Sequence, residues 1–424
     1  MRRLLLAGLG LTCALVNPVL AQAQPDQPEL RVFLDCQTFG CDFDLVRREV
    51  PWVDWVREPQ DGDVHLLVTS TQSGGGVQYD IRLLGRGRFE GRDTTLTLDS
   101  SSTDTQDERR RALLERFRVG LAGYAAGTPA GRFLRVEYDP PDDDAVTPEN
   151  DPWNLWVFGV SAGGSARAQS RTSSTSVNGS LSADRVSEEW KVNWAGRANV
   201  REEEFEFTDG STTSSLRRTS GTDFQLVKSA GDHWGIGGRA AVTSSTFSNQ
   251  DIRLSVQPAV EYNIFPYDES SRRQLTFQYR VGPAFVRYDE ETIFGRTRET
   301  LHEHQLTSSL SFRQPWGSTN LSVSASQFLH DTEKNRLTLF ANANIRIVRG
   351  LSPSLFGNVS RVRDQVFLPR RDASDEEVLL RQRQLNTDFD YSFNVNLRFT
   401  FGSIFNNIVN PRFGGDGGDV FFFF

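Results

Sequence analysis

The feature that most constrains this chain is a strict two-residue alternation of apolar and polar side chains from residue 388 to residue 401. Successive side chains of a β-strand point to opposite faces, so this segment has one apolar and one polar face. A run of about thirteen residues suits a tilted membrane strand better than the five or six residues usual in soluble sheets. The apolar positions are Phe389, Tyr391, Phe393, Val395, Leu397, Phe399 and Phe401.

Similar alternating segments recur from Trp153 onward, and we count about twelve of them, an even number that a closed bacterial barrel requires. Short turns alternate with longer polar loops, which we place at 208–218, 290–300 and 369–384. The sequence therefore predicts a mainly β fold, an antiparallel transmembrane β-barrel of about twelve strands over residues 153–401. A soluble double-sheet sandwich is the alternative, since it would also alternate.

The N-terminus has the pattern of a signal peptide over residues 1–23. Met1-Arg2-Arg3 precedes an apolar run over residues 4–16, and Ala21-Gln22-Ala23 provides a small-x-small cleavage pattern. The apolar run is too short for a membrane-spanning helix. Export places Cys36 and Cys41 in a compartment that permits oxidation, and their close spacing predicts a disulfide between them.

Residues 29–138 show the pattern of a small α/β domain. Strands are predicted at 30–35, 65–69, 77–84 and 94–98, with a short helix at 43–50. Leu113, Leu114, Phe117, Leu121 and Tyr124 have the three- and four-residue spacing of an amphipathic helix over 106–126. This order resembles the N-terminal domain of the Tol-system translocation protein. The resemblance implies a periplasmic interaction or scaffolding domain.

An acidic, Pro-rich stretch at 139–152 predicts an extended linker between this domain and the barrel. The final alternating segment, "FDYSFNVNLRFTF", resembles the terminal β-signal by which outer-membrane barrels are recognised by the barrel assembly machinery. That signal normally ends the chain, whereas here a tail over residues 402–424 follows. The tail could enter the lumen, lie at the membrane interface or lack order, and its sequence does not decide among these.

The polar faces of the alternating segments carry the candidate functional residues. Cations outnumber carboxylates there, which suggests an electropositive pore for small anionic solutes. The alternative is a network of paired charges that fills a non-conducting barrel. The lumen-facing candidates are Lys191, Arg197, Arg201, Arg239, Arg253, Glu261, Arg280, Arg313, Arg346, Asp388, Asp390 and Arg398.

No pattern of an enzyme, a cofactor site or a metal site emerges from the sequence. His302 and His304 share a strand face but have no third ligand nearby in sequence, so we interpret them as a solvent-facing loop end. They also lack the adjoining serine of outer-membrane lipases, which use a Ser-His dyad. A net charge of −8 and the lack of a basic helix argue against a nucleic-acid partner.

Two hypotheses of function follow from the predicted fold. The first is an outer-membrane channel for small, anionic solutes. The second is a non-conducting outer-membrane anchor that presents a periplasmic interaction domain to envelope proteins. In both, the partners are outer-membrane lipid and the barrel assembly machinery, and the N-terminal domain lies in the periplasm.

Overall fold

The computed structural model describes residues 30–73, 76–135, 137, 151–371, 385–410 and 412. The predicted signal peptide, residues 139–150 of the predicted linker and most of the predicted 402–424 tail lie outside these residues. So do residues 372–384 of the long loop predicted at 369–384.

The first described part of the chain is a small mixed α/β domain, as predicted. Its helices are α1 (Phe43–Glu49) and α2 (Gln106–Ala125). Its strands are β1 (Leu30–Cys36), β2 (Val53–Val56), β3 (Val64–Ser73), β4 (Gly76–Gly85) and β5 (Thr94–Ser101). They form one sheet in the order β2-β1-β3-β4-β5, in which β1 runs parallel to β2 and β3 while the other pairs are antiparallel.

Helix α2 covers this sheet with its apolar face. It begins with a capping box, in which the Thr105 hydroxyl accepts from the Glu108 N–H at 3.2 Å and the Glu108 carboxylate accepts from the Thr105 N–H at 2.8 Å. Leu113, Phe117 and Leu121 are fully or almost fully buried against the strands. The predicted helix is confirmed, whereas β2 was not predicted because four residues are too few to show a period.

The second part of the chain is a twelve-stranded antiparallel sheet in which each strand pairs with the next along the chain. This confirms the predicted number of strands and their antiparallel order. The strands are β6 (Trp156–Ala168), β7 (Thr172–Val186), β8 (Trp190–Glu206), β9 (Thr212–Ser229), β10 (Trp234–Ser245), β11 (Gln250–Asn263), β12 (Arg273–Tyr288), β13 (Arg298–Gln314), β14 (Gly317–Phe328), β15 (Asp331–Ile345), β16 (Leu351–Val362) and β17 (Phe389–Phe399).

One of the predicted long loops is wrong. Residues 212–218 belong to β9 and pair with β8, so the connection between these strands is a short turn at 207–211. The loop was predicted because the segment is rich in polar residues. Backbone hydrogen bonds continue regardless of side-chain polarity, so the strand extends past its apolar part.

The sheet has two chemically different faces, which the pairing register keeps in line. Exposed apolar side chains occupy one face on every one of the twelve strands, and we call this the apolar face. The twelve candidate residues of the sequence, from Lys191 to Arg398, alternate with these positions and project from the opposite, polar face. Examples from the apolar face are Phe158, Val177, Val200, Phe224, Ile236, Leu254, Tyr279, Leu306, Val323, Leu339, Val359 and Phe393.

The described residues do not close this sheet into a barrel. Strands β6 and β17 are its two edges, and no hydrogen-bonded pairing joins them within the described ranges. All of β17 and most of β6 are exposed. The apolar-face positions of β6 after Val160 are Ala162, Gly164, Ala166 and Ala168, which provide little apolar surface to hold a neighbouring strand.

Candidate functional site

The N-terminal domain is seated against the end of the twelve-stranded sheet at which β6 begins and β17 ends, and we call it the short-turn end after its turns at 187–189, 230–233 and 315–316. The predicted alternation of short turns with long loops is wrong, because the opposite end also has short turns at 169–171, 207–211, 246–249 and 329–330. The Gln37 side chain donates to the backbone carbonyl of Gln314 at 2.9 Å, at the turn between β13 and β14. Arg349, in the turn between β15 and β16, pairs with Asp61 at 2.8 Å. These contacts join segments that lie far apart in the sequence.

A buried charged cluster lies at the centre of this junction. Asp35, at the end of β1, is 3% exposed and accepts two hydrogen bonds from Arg346 at 2.6 and 2.9 Å. The Nε2 atom of His65 lies 3.0 Å from the same carboxylate, and the ring of Phe33 packs against both His65 and the Arg346 guanidinium. We call these four residues the junction cluster.

The protonation states of the cluster follow from its surroundings. Burial works to raise the pKa of Asp35, but hydrogen bonds from His65 and Arg346 outweigh it and hold that pKa below its usual value. Burial also lowers the pKa of His65 below 6.5, against the opposing effect of Asp35. His65 Nδ1 is buried without a partner among the described residues, so the neutral ring carries its proton on Nε2 and donates to Asp35.

The chain after the last strand also holds the N-terminal domain. Residues 404–406 run antiparallel to β2, with Arg57 N–H donating to the Ile404 carbonyl at 2.9 Å and Asn406 N–H donating to the Trp55 carbonyl at 2.8 Å. The Asn407 side chain adds hydrogen bonds to the Trp55 N–H at 2.6 Å and to Asp54 at 2.8 Å. This part of the tail therefore extends the N-terminal sheet beyond β2, a position that the sequence did not suggest.

A polar cavity of about 1050 Å³ lies between the N-terminal domain and the polar face of the sheet, and we call it the junction cavity. From the domain, it is lined by Ser70 to Gln72 and by Gln37 to Phe39, a loop closed by the predicted Cys36–Cys41 disulfide. Strands β8 to β13 supply the other wall. Because these strands surround one space, the sheet curves around its polar face.

The junction cavity brings together five of the candidate residues, and the others lie elsewhere. The five are Lys191, Arg239, Glu261, Arg280 and Arg313. Arg346 belongs to the junction cluster, Arg253 pairs with Glu303 at 2.6 Å, and Arg201 pairs with Glu203 at 2.7 Å. Asp388, Asp390 and Arg398 lie at or beside the exposed edge strand β17, and Arg197 lies midway along β8.

At the opposite end of the sheet, the chain after β16 packs onto the polar face. Asn249 donates to the Phe367 carbonyl at 3.0 Å, and Ile293 N–H donates to the Leu368 carbonyl at 2.9 Å. Next to these contacts, apolar side chains of β12 to β14 pack with Val366 and Phe367 and form an apolar cluster on the polar face. Its members are Ala284, Val286, Tyr288, Leu301, Phe328, Val366 and Phe367.

The prediction for the two close histidines is wrong. His302 and His304 lie within β13 and not at a loop end, and His304 Nδ1 lies 3.2 Å from the Tyr279 hydroxyl on the neighbouring strand. Strand β13 begins at Arg298, inside the loop predicted at 290–300, so both histidines fall within the strand. Within the ranges that the structure covers, no three His, Cys, Asp or Glu residues cluster as metal ligands do.

Comparison with known proteins does not assign the chain to a family. No protein-family model matches it, and no curated protein matches it. In the described part of the chain, no helix is both long enough and apolar enough to cross a membrane.

Proposed function

We propose that this protein is a bacterial outer-membrane anchor, in which the twelve strands close into a lipid-embedded barrel and the N-terminal domain is held at its periplasmic end. The observation that carries the proposal is the apolar face, which continues across all twelve strands opposite a polar face. Large exposed apolar surfaces mark contact with a membrane or a partner. A lipid-facing apolar band opposite a polar interior is the arrangement of a transmembrane barrel.

The stagger of the strands supports closure of the barrel. Each strand has one residue that pairs with the next strand's residue in an unbroken series from β17 to β8. This series begins at Phe389, beside the long loop before β17, and ends at Trp190, beside the short turn before β8. The series thus descends from one end of the sheet to the other, as the tilted strands of a closed barrel require. Its members between those ends are Arg361, Leu337, Ala325, Leu306, Tyr279, Val260, Ile236 and Lys228.

Aromatic residues support membrane insertion as well. Three strands begin with a tryptophan at the short-turn end, on the apolar face: Trp156, Trp190 and Trp234. Trp316 lies at the same end, in the turn between β13 and β14. Trp234 and Trp316 are 47% and 43% exposed. Tryptophan is enriched where the hydrocarbon core meets the lipid headgroups, and barrels carry such girdles at their ends.

Coverage of both ends of the polar face favours an anchor over an open channel. The N-terminal domain covers the short-turn end, and the apolar cluster that includes Val366 and Phe367 covers the other. The channel remains the second candidate, because the junction cavity is lined by the cations Lys191, Arg280 and Arg313. In that case the domain would be a plug that must move before solutes pass.

Membrane insertion is tested by refolding the full chain with lipid vesicles. We expect it to float with the vesicles through a density gradient after a carbonate wash, and to migrate faster in unheated than in heated detergent gels. Recovery as a soluble protein without detergent would refute the proposal.

Closure is tested by cross-linking the edge strands. If Trp156 and Phe399, both at the short-turn end, lie side by side, Ser161 faces Asn394 across the seam on the polar face. The pair Ser161→Cys with Asn394→Cys, or with Asn396→Cys for a slip of two residues, should form a disulfide in the membrane. Val395→Cys, on the apolar face, is the matched control. Equal cross-linking of Val395→Cys would contradict closure in this register.

Planar-bilayer recordings separate the anchor from the channel. The anchor predicts that the wild-type protein conducts no current at any applied potential. Anion-selective steps in the wild type would favour the channel instead. Their loss on neutralising Arg280 would show that the current passes through the junction cavity.

A further inference from the structure

The junction cavity has an unbalanced set of charges. Its walls carry Lys191, Arg239, Arg280 and Arg313 but only two carboxylates, Asp223 and Glu261. Asp223 is already neutralised by an ion pair with Arg239. Glu261 is occupied as well, because it accepts hydrogen bonds from the Tyr267 hydroxyl at 2.9 Å and from the Gln278 amide at 3.0 Å.

Three cations of the cavity are left without an anionic partner among the described residues. Arg280 donates to the amide oxygen of Gln305 at 3.1 Å, and Arg313 donates to the Ser271 carbonyl at 3.2 Å. Neither these two residues nor Lys191 forms an ion pair within the described ranges. Half-buried guanidinium groups that bond only to neutral oxygens retain an unmet preference for a carboxylate or a phosphate.

Other arginines on the same face do have such partners. Arg253 binds Glu303 at 2.6 and 2.8 Å, Arg336 binds Asp364 through three hydrogen bonds, and Arg346 binds Asp35. The polar face thus pairs its cations where a carboxylate is in reach. The junction cavity instead combines unpaired cations with a volume of about 1050 Å³.

We propose that the junction cavity binds a small organic anion with at least two negative charges, carried on carboxylate or phosphate groups. Arg280 provides the planar donor, and Lys191 on β8, at the same register level, provides a second charge from across the cavity. Arg313 lies eight register positions nearer the short-turn end and adds positive charge to the cavity wall. The amides of Gln225, Gln274 and Gln278 line the same space and can bond to hydroxyl groups of the ligand. The cavity lies within the usual range for small-molecule sites. The inference holds for the anchor and for the channel alike.

The test is calorimetric titration of the full chain in a non-ionic detergent. Citrate and glucose 6-phosphate are the probes, and glucose is the neutral control. Both anions should bind and glucose should not, and affinity should fall as salt is added because the attraction is electrostatic. Binding of citrate alone or of glucose 6-phosphate alone supports the site and identifies which acidic group it prefers.

Variants locate the binding within the cavity. The double variant R280Q/R313Q should weaken citrate binding about tenfold or more, since charge-assisted hydrogen bonds are each worth at least one factor of ten. R398Q, a neutralised arginine on the same face outside the cavity, is the matched control and should leave binding unchanged. If the double variant does not fold, K191Q alters an exposed side chain and should weaken binding about threefold.

Three outcomes would overturn the inference: no heat with either anion, equal binding of glucose, or equal weakening by R398Q. None of these readouts involves a membrane. A protein that binds citrate but fails to float with vesicles would refute the anchor and retain the site. A protein that floats with vesicles but does not bind either anion would support the anchor and refute the site.

Discussion

Replacing Arg346 with alanine should release the N-terminal domain from the sheet. Arg346 contributes both guanidinium nitrogens to Asp35, which is 3% exposed at the junction. Without the arginine, the docked state would hold a buried carboxylate whose remaining hydrogen bonds come from two neutral groups, the His65 ring and the Gln37 amide. The undocked state returns that carboxylate to water, so the substitution selectively destabilises docking.

The size of the effect follows from burial. Removing one partner of a buried ion pair costs about 3–5 kcal/mol, and because the Arg346 side chain is 28% exposed we take the lower end, about 3 kcal/mol. The stacking of the guanidinium 4.8 Å from the Phe33 ring centre is included in that figure, at about 0.5–1 kcal/mol. A loss of about 3 kcal/mol corresponds to a docking equilibrium weakened roughly a hundredfold.

Hydrogen exchange of the full chain measures this equilibrium. The amides of Arg57 and Asn406 are bonded across the junction, so their exchange rates report undocking. R346A should accelerate both roughly a hundredfold while leaving the α2 amides slow. R349A is the matched control, because Arg349 is 56% exposed in its pair with Asp61 and should cost only about 0.5 kcal/mol.

A double variant separates the ion pair from simple loss of packing. Removing the charge of Asp35 as well, in D35N/R346A, should recover part of the protection, since the buried charge is then gone. Two results would show that the buried pair does not hold the domain. The first is that R346A exchanges no faster than R349A. The second is that the loss of docking free energy in D35N/R346A equals the sum of the losses in D35N and in R346A.

Further predictions concern the N-terminal domain. The pKa of His65 is below 6.5 in the folded protein, so as the pH falls the unfolded chain takes up a proton at His65 before the folded protein does. Thermal melts should therefore show a loss of stability below pH 6.5, and this loss should be smaller in H65Q. Phe117→Ala should cost about 3–5 kcal/mol in denaturant unfolding, because Phe117 is fully buried, whereas exposed Val119→Ala should cost little. Reducing the Cys36–Cys41 disulfide should destabilise the domain by about 2 kcal/mol and loosen Gln37 from Gln314.

Much of the sheet could be predicted from sequence because its information is local. The parity of a strand assigns every side chain to a face, so Phe393 and Arg398 could be placed without knowing which strands pair. The residues at which strands begin and end could be predicted less well. Residues 212–218 and 298–305 are polar segments whose strand structure depends on backbone pairing with neighbours and not on their own side chains.

The junction could not be predicted, because its partners are remote in sequence. Asp35 and Arg346 are separated by 311 positions, and nothing in the residues around either one indicates the other. Asp35 follows an apolar strand and was predicted as its end. His65 was read as the start of a strand, although an ionisable residue within an apolar run is a signal of a buried polar contact.

The pairing of residues 404–406 with β2 has a consequence for the order of assembly. The N-terminal domain is synthesised before the twelve-stranded sheet, yet the neighbour of its edge strand is synthesised only after β17. The domain can therefore complete its edge only when the final strand has reached the short-turn end. Docking would then report that the whole sheet has been assembled, and an unfinished chain would expose β2 as an open edge.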